Sequence, residues 1–312
     1  MPISEKITER LSFFFGIMFD GWTDVSTHYI AVIATFMKNG VYYEVLLGCS
    51  PPLKEKSYTA EEYYVLLESV LAIYGESIKV HAVLIEDNCA TNKALADLMS
   101  VPLIGCGYHM LNIAIKAYLA RRPAIEKTIA RVGKTMSQMR NLKAAGALRE
   151  LTSLTPIKRN VTRWSSTHKM LQRFLQIEGS ARQLDDIDAI RRADLDRIKS
   201  VMPALKDFKG IMTELQNKGQ HIGVVHETFE LMTEDYTELK DYLATDATIS
   251  HNLQFEAAVV KIIRGEQEKL TSEEKVRVSS FLARASPDEA MPPDNEGKRS
   301  SHLDFVIAND ST

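Results

Sequence analysis

The sequence predicts an α/β fold, with a mixed β-sheet in the first 123 residues followed by an all-helical region. Three observations carry this prediction. Apolar runs of strand length alternate with turn signals up to Gly105. A segment of helical periodicity separates two such runs, as a crossover requires. From Ala124 onward no strand pattern is visible.

The elements follow in order. Phe13–Phe19 is a continuous apolar run closed by Asp20-Gly21. Tyr29–Met37 and Val41–Gly48 flank Lys38-Asn39-Gly40, a hairpin signal because Asn and Gly tolerate the positive φ of the turn. Three consecutive antiparallel strands are expected. Thr59–Tyr74 then places Tyr63, Leu66, Leu67, Val70, Leu71 and Tyr74 at helical spacing and stops at Gly75. Val80–Ile85 is a short strand ending at Glu86-Asp87-Asn88. Thr91–Met99 reads as a short helix, Leu103–Gly105 as a last strand and His109–Leu119 as an amphipathic helix. The predicted order is β-β-β-α-β-α-β-α. Helices are then expected at Ala124–Leu151, Ser166–Glu178, Ala193–Asn217, Val224–Ala244, Leu253–Gly265 and Ser272–Ala285. Ser286–Ser301 holds Pro287, Pro292 and Pro293 among polar residues, a composition that buries too little apolar area to order itself. Three regions result: a sheet-bearing core over 1–123, a helical region over 124–285 and a flexible tail over 286–312.

The chain has 312 residues, 45% hydrophobic and 25% charged, which excludes disorder, collagen and coiled coil for its bulk. No apolar run approaches the ~20 residues of a bilayer span, and Met1–Arg10 offers no signal-peptide core. The expectation is a protein with no membrane partner, not secreted. Cys49, Cys89 and Cys106 are too few and too scattered for a disulfide framework, which fits a reducing nuclear or cytoplasmic compartment. The net charge of −3 conceals an uneven layout. Arg121 to Arg173 carries thirteen basic residues against two acids, whereas His226 to Glu256 carries eight acids and one Lys. Local charge density governs attraction to phosphates, so the basic stripe suggests an anionic partner such as DNA; a solvated helix face is the plainer alternative.

Two carboxylates stand out by position. Asp20 closes the first strand, and Asp87 closes the strand after the first crossover helix. On parallel neighbouring strands they would emerge at one sheet edge, able to hold divalent cations about 4 Å apart for phosphodiester chemistry, and Mg²⁺ suits such a set. Taken singly, each fits a turn equally well. Cys106-x-x-His109 invites a zinc reading, but no second pair exists to complete four ligands. Arg163-Trp164 offers an indole beside a guanidinium, a stacking surface for an unpaired base with a phosphate contact.

The order of four motifs goes further: Phe19-Asp20-Gly21-Trp22-Thr23-Asp24, Asp87-Asn88-Cys89-Ala90-Thr91-Asn92, Cys106-Gly107-Tyr108-His109-Met110-Leu111-Asn112 and Thr162-Arg163-Trp164-Ser165-Ser166-Thr167. In this order they resemble the hAT (hobo/Activator) superfamily of DNA transposases, over roughly Phe13 to Leu171. The resemblance implies an RNase H-like sheet with an all-α insertion, and Mg²⁺-dependent DNA cleavage and strand transfer by two Asp and one Glu. Asp20 and Asp87 would be the catalytic, metal-binding acids. Cys106, His109, Lys158, Arg159, Arg163 and Trp164 would contact nucleic acid, with Arg163-Trp164 at the DNA-hairpin step.

The sequence also departs from that pattern. A Ser-x-x-x-Glu-Arg-x-Phe-Ser-like segment bearing the third acid does not occur, and no Cys/His cluster of a BED-type zinc finger precedes the first strand. The expectation is therefore an incomplete RNase H-like core, truncated at both ends and inactive alone, with DNA and a full-length transposase or a second copy as partners. The rival readings are a domesticated DNA-binding or protein-interaction module, and an unrelated two-metal nuclease with Glu86 or Asp24 completing the site.

Overall fold

Asn39 and Gly40 adopt positive φ, 56° and 72°, and turn β2 (Thr27–Lys38) into β3 (Val41–Ser50). The computed structural model describes residues 3–9, 11, 14–54, 58–77, 82–160, 164–185, 187–217, 221–245, 247 and 250–282. Its elements begin with α1 (Ile3–Thr8) and β1 (Phe15–Asp24), followed by β2, β3, α2 (Ala60–Ala72), β4 (Ala82–Glu86), α3 (Ala90–Met99), β5 (Leu103–Gly105) and α4 (Gly107–Ala120). Eight further helices follow: α5 (Pro123–Gln138), α6 (Leu142–Leu151), α7 (Trp164–Ala181), α8 (Arg192–Glu214), α9 (Ile222–Asp235), α10 (Lys240–Leu243), α11 (Leu253–Ile263) and α12 (Ser272–Leu282). The fold is mixed α/β. No helix among the described residues is long and apolar enough to cross a membrane.

The five strands form one sheet in the order β3-β2-β1-β4-β5. The β1–β2 and β2–β3 pairs are antiparallel, and β1–β4 and β4–β5 are parallel. Strand alternation sorts the side chains onto two faces. Phe15, Ile17, Val32, Ala34 and Leu84 face α2 and α3, where Leu67, Leu71, Leu95 and Met99 are buried. Met18, Val83, Ile85 and Ile104 face the other way and are covered by Ile222 of α9, Phe255 and Val259 of α11, and Val278 of α12. The sheet is thus clad on both faces.

The chain divides into two compact units, one comprising 1–110 with 215–312 and the other Leu111–Glu214. This differs from the expected helical region over 124–285. Helices α9, α11 and α12 belong with the sheet, because burying each large apolar side chain is worth about 1.5–3 kcal/mol and these helices cover the Met18–Ile104 face. Helical periodicity reveals an apolar stripe but not the surface it meets. The expected flexible tail over 286–312 lies outside the described residues.

The second unit is all-helical. Helices α5, α7 and α8 pack around Val132, Met136, Leu171, Phe174, Leu205 and Phe208. Its polar centre is Asp194, fully buried, which accepts hydrogen bonds from Thr128 Oγ1 (2.7 Å), Arg131 Nη1 (2.6 Å), Arg197 Nη1 (2.9 Å) and Arg191 Nε (3.1 Å). Burial pushes its carboxyl up, but these donors outweigh that and hold it at about 2. One helix expected over Ala124–Leu151 is two, α5 and α6, separated by a turn at 139–141.

Candidate functional site

The first residues of β1 lie alongside β4, whose C-terminal end therefore comes level with the middle of β1. Their parallel ladder pairs Phe15 with Ala82, Gly16 with Val83 and Ile17 with Leu84. Carried three residues further, that register sets Asp20 opposite Asp87. By alternation both fall on the Met18 and Ile85 face of the sheet. Asp20 is exposed and pairs with Ala31 across β2. Asp87 is half-buried just past β4.

Two neighbours orient the Asp87 carboxylate. Asn92 Nδ2 donates to Oδ1 at 2.6 Å and approaches the Asp87 carbonyl at 3.2 Å. Asn92 is buried in the first turn of α3, where its backbone N–H also caps onto Cys89 Sγ at 3.5 Å. On the other side His109 Nδ1 stands 3.6 Å from Oδ2, beyond hydrogen-bond length and within ion-pair range when the imidazole is protonated. His109 is carried there by the first turn of α4, which Cys106 starts by donating its N–H to the Glu86 carbonyl at 2.8 Å.

Glu86 takes a different direction. By alternation it belongs to the opposite face from Asp20 and Asp87, and its Oε1 accepts a hydrogen bond from Phe19 N–H at 2.5 Å. Burial first, then the nearby charges of Asp87 and Asp20, hold its carboxyl well above the usual carboxylate range. Glu86 therefore does not complete a shared-face triad. Asp24, four residues beyond Asp20 on an extended strand, is about 13 Å further along and does not complete one either. Among the described residues no group of three or more His, Cys, Asp or Glu side chains is placed to hold a metal ion.

Tyr63 of α2 borders the same edge. Its ring stacks on Phe19 at 4.9 Å, and burial, reinforced by the Glu86 carboxylate, raises its hydroxyl. Burial likewise raises the Cys89 thiol. No disulfide links Cys49, Cys89 or Cys106. Asn92 and Tyr63 were not singled out by sequence reasoning; Asn92 had a signal, as the last residue of the Asp87 motif.

The residues expected to contact nucleic acid fare differently. Lys158 is exposed and Arg159 half-buried, both in the irregular 152–160 segment between α6 and α7; Arg163 lies outside the described residues. Trp164, expected as a stacking surface, lies in the core of the helical unit. Its side chain is 2% exposed, meets Phe208 edge-on at 6.3 Å and 85°, and its backbone N–H donates to Asn112 Oδ1 at 3.3 Å. In this conformation the indole is a core residue, since the start of α7 turns it inward.

The basic stripe is also partly engaged within the protein. Arg122 lies over the Tyr118 ring at 3.6 Å, Lys134 pairs with Asp188 at 2.6 Å, and Arg131 with Asp194. Arg140 and Arg173 donate to the Pro156 and Thr155 carbonyls. Lys127, Arg149, Lys158 and Lys169 are exposed.

Chemically, the carboxylates of Asp20, within β1, and Asp87, just past β4, form a hard-oxygen donor set. It fits a single Mg²⁺, which commonly takes one or two carboxylates and completes its octahedron with water and phosphate oxygens. It does not fit a two-metal centre. Compared with known proteins, the chain matches no family model and no curated protein sequence.

Proposed function

We propose that this chain is a DNA-binding protein of transposase descent, similar to the hAT superfamily, in which an RNase H-like sheet carries an all-α insertion. The observation that supports this best is the strand order β3-β2-β1-β4-β5, with Asp20 within β1 and Asp87 just past the end of its parallel neighbour β4. An open sheet presents ligands to the C-terminal ends of such strands. A helical unit interrupting the sheet-bearing unit agrees with the insertion. The exposed cations Lys127, Arg149, Lys158 and Lys169 supply phosphate contacts.

Asp20 and Asp87 would hold one Mg²⁺, which when bound neutralises phosphate charge and polarises a phosphoryl oxygen. Asn92 and His109 fix the Asp87 carboxylate in the orientation that presents it to such an ion. With Glu86 directed to Phe19 N–H, no third carboxylate among the described residues joins them, and binding without unaided cleavage is the function proposed. DNA is the proposed partner, with a transposase or a second copy of this chain able to supply a further acid.

Fluorescence anisotropy of the purified chain on duplex and hairpin DNA tests the reading. The expected log K falls linearly with log salt at a slope near −4, about one unit for each of four phosphate contacts. Mg²⁺ should bring no nicking. Salt-insensitive or absent binding overturns the DNA assignment, and metal-dependent nicking abolished by Asp20→Ala overturns the incompleteness.

A further inference from the structure

The chain contains two tryptophans, and the one left outside the core is Trp22, 46% exposed. It lies two residues beyond Asp20 on β1, hence on the same face and about 7 Å along the strand. Across the antiparallel pair its partner is Tyr29, whose ring stacks beneath the indole at 5.8 Å and 22°. One indole face is backed by this ring.

The reverse side of the hairpin holds it stiff. His28 packs over Gly21, where a Cβ would come within 2.6 Å of ring Nε2, so only glycine admits the imidazole there. The same ring lies 3.1 Å from Thr23 Oγ1 through Nδ1 and meets Tyr58 edge-on at 5.1 Å. The indole is therefore presented on a braced strand and not on a loose loop.

We infer that Trp22, backed by Tyr29, is a stacking platform for a nucleobase of single-stranded DNA whose neighbouring phosphate is held at Asp20 and Asp87. The inference rests on the DNA-binding reading above. An indole flanked on its strand by the exposed carboxylates of Asp20 and Asp24 sits in too polar a surround for the several-hundred-Å² contiguous apolar patch a protein partner needs. A neutral base face tolerates those acids, and the phosphate reaches them through Mg²⁺, so the platform works only with the cation present. This also supplies the exposed aromatic surface that buried Trp164 does not.

Tryptophan emission of the full chain reports this contact directly, because stacking quenches an exposed indole. A thymidine oligonucleotide should quench emission in Mg²⁺ and much less in EDTA, and Trp22→Phe, with Trp164 intact, should abolish the quench. By anisotropy, Trp22→Ala should weaken single-strand binding about 5- to 100-fold and duplex binding less than twofold, with Trp22→Phe intermediate. Circular dichroism should show both variants folded, since the site is exposed. Unchanged single-strand affinity in Trp22→Ala overturns the platform while leaving DNA binding standing. Absence of any DNA binding overturns both. Quenching by a lysine-rich peptide in place of DNA, or by raising protein concentration alone, also overturns it and assigns the indole to a protein contact.

Discussion

The Glu86 carboxylate accepts a hydrogen bond from the Phe19 N–H at 2.5 Å, at the point where the β1–β4 ladder stops after Ile17 and Leu84. A side chain thus takes over the pairing as the two strands part, and the two residues next along, Asp20 and Asp87, are freed to face outward. That single bond separates Glu86 from the two acids proposed to bind the cation.

Because burial and the neighbouring carboxylates raise the Glu86 pKa in the folded state, the folded protein binds a proton that the unfolded chain releases near pH 4.3. The associated stability is complete below that pH and is lost as pH rises through the folded value. Glu86→Gln keeps an acceptor for Phe19 N–H and cannot ionise. Urea midpoints should match wild type at pH 4 and exceed it at pH 8. Parallel profiles for the two proteins would show that Glu86 carries no such penalty.

Trp164→Ala should destabilise the protein by about 3–5 kcal/mol, the cost of emptying a well-packed aromatic site. Trp164→Phe should cost less and leave DNA binding unchanged. Thermal denaturation beside anisotropy decides this: an alanine variant of undiminished stability but poor DNA binding would return the indole to the role the Arg163-Trp164 motif suggested.

Asp194 stabilises in the opposite pH sense to Glu86. Burial disfavours its charge, yet Thr128, Arg191 and Arg131 hold its carboxyl at about 2, below the unfolded value near 3.9, so its contribution is full above pH 4 and lost as pH falls through 2. At neutral pH Asp194→Asn should cost on the order of 2 kcal/mol, and the gap to wild type should narrow between pH 4 and pH 2. Equal acid sensitivity in both proteins would count against this network.

How far the sequence carried these conclusions depends on how local the cause was. The Asn39-Gly40 turn and the Leu103–Gly105 strand followed from residues a few positions apart. The first strand did not, since its apolar run ends at Phe19 whereas β1 continues to Asp24 by pairing Gly21, Trp22 and Thr23 with β2. Asp87 was legible as the acid closing β4, whereas Asp20, expected at a strand end, lies in the middle of β1. The approach of His109 to Asp87 was not, because it depends on how the first turn of α4 meets β4. Burial of Trp164 against Phe208 joins residues far apart in sequence, beyond any motif.

The second cladding of the sheet has a consequence during synthesis. Asn252 Oδ1 accepts the Leu103 N–H across 149 residues, and the helices that cover Met18, Val83, Ile85 and Ile104 lie between Ile222 and Leu282, long after β5. At about 5–20 residues per second, translation leaves that apolar face waiting for roughly 10–30 s after β5 emerges from the ribosome. Over that interval the nascent sheet is a substrate for holdase chaperones, and a ribosome stalled within the helical unit would release a polypeptide with one open, aggregation-prone side.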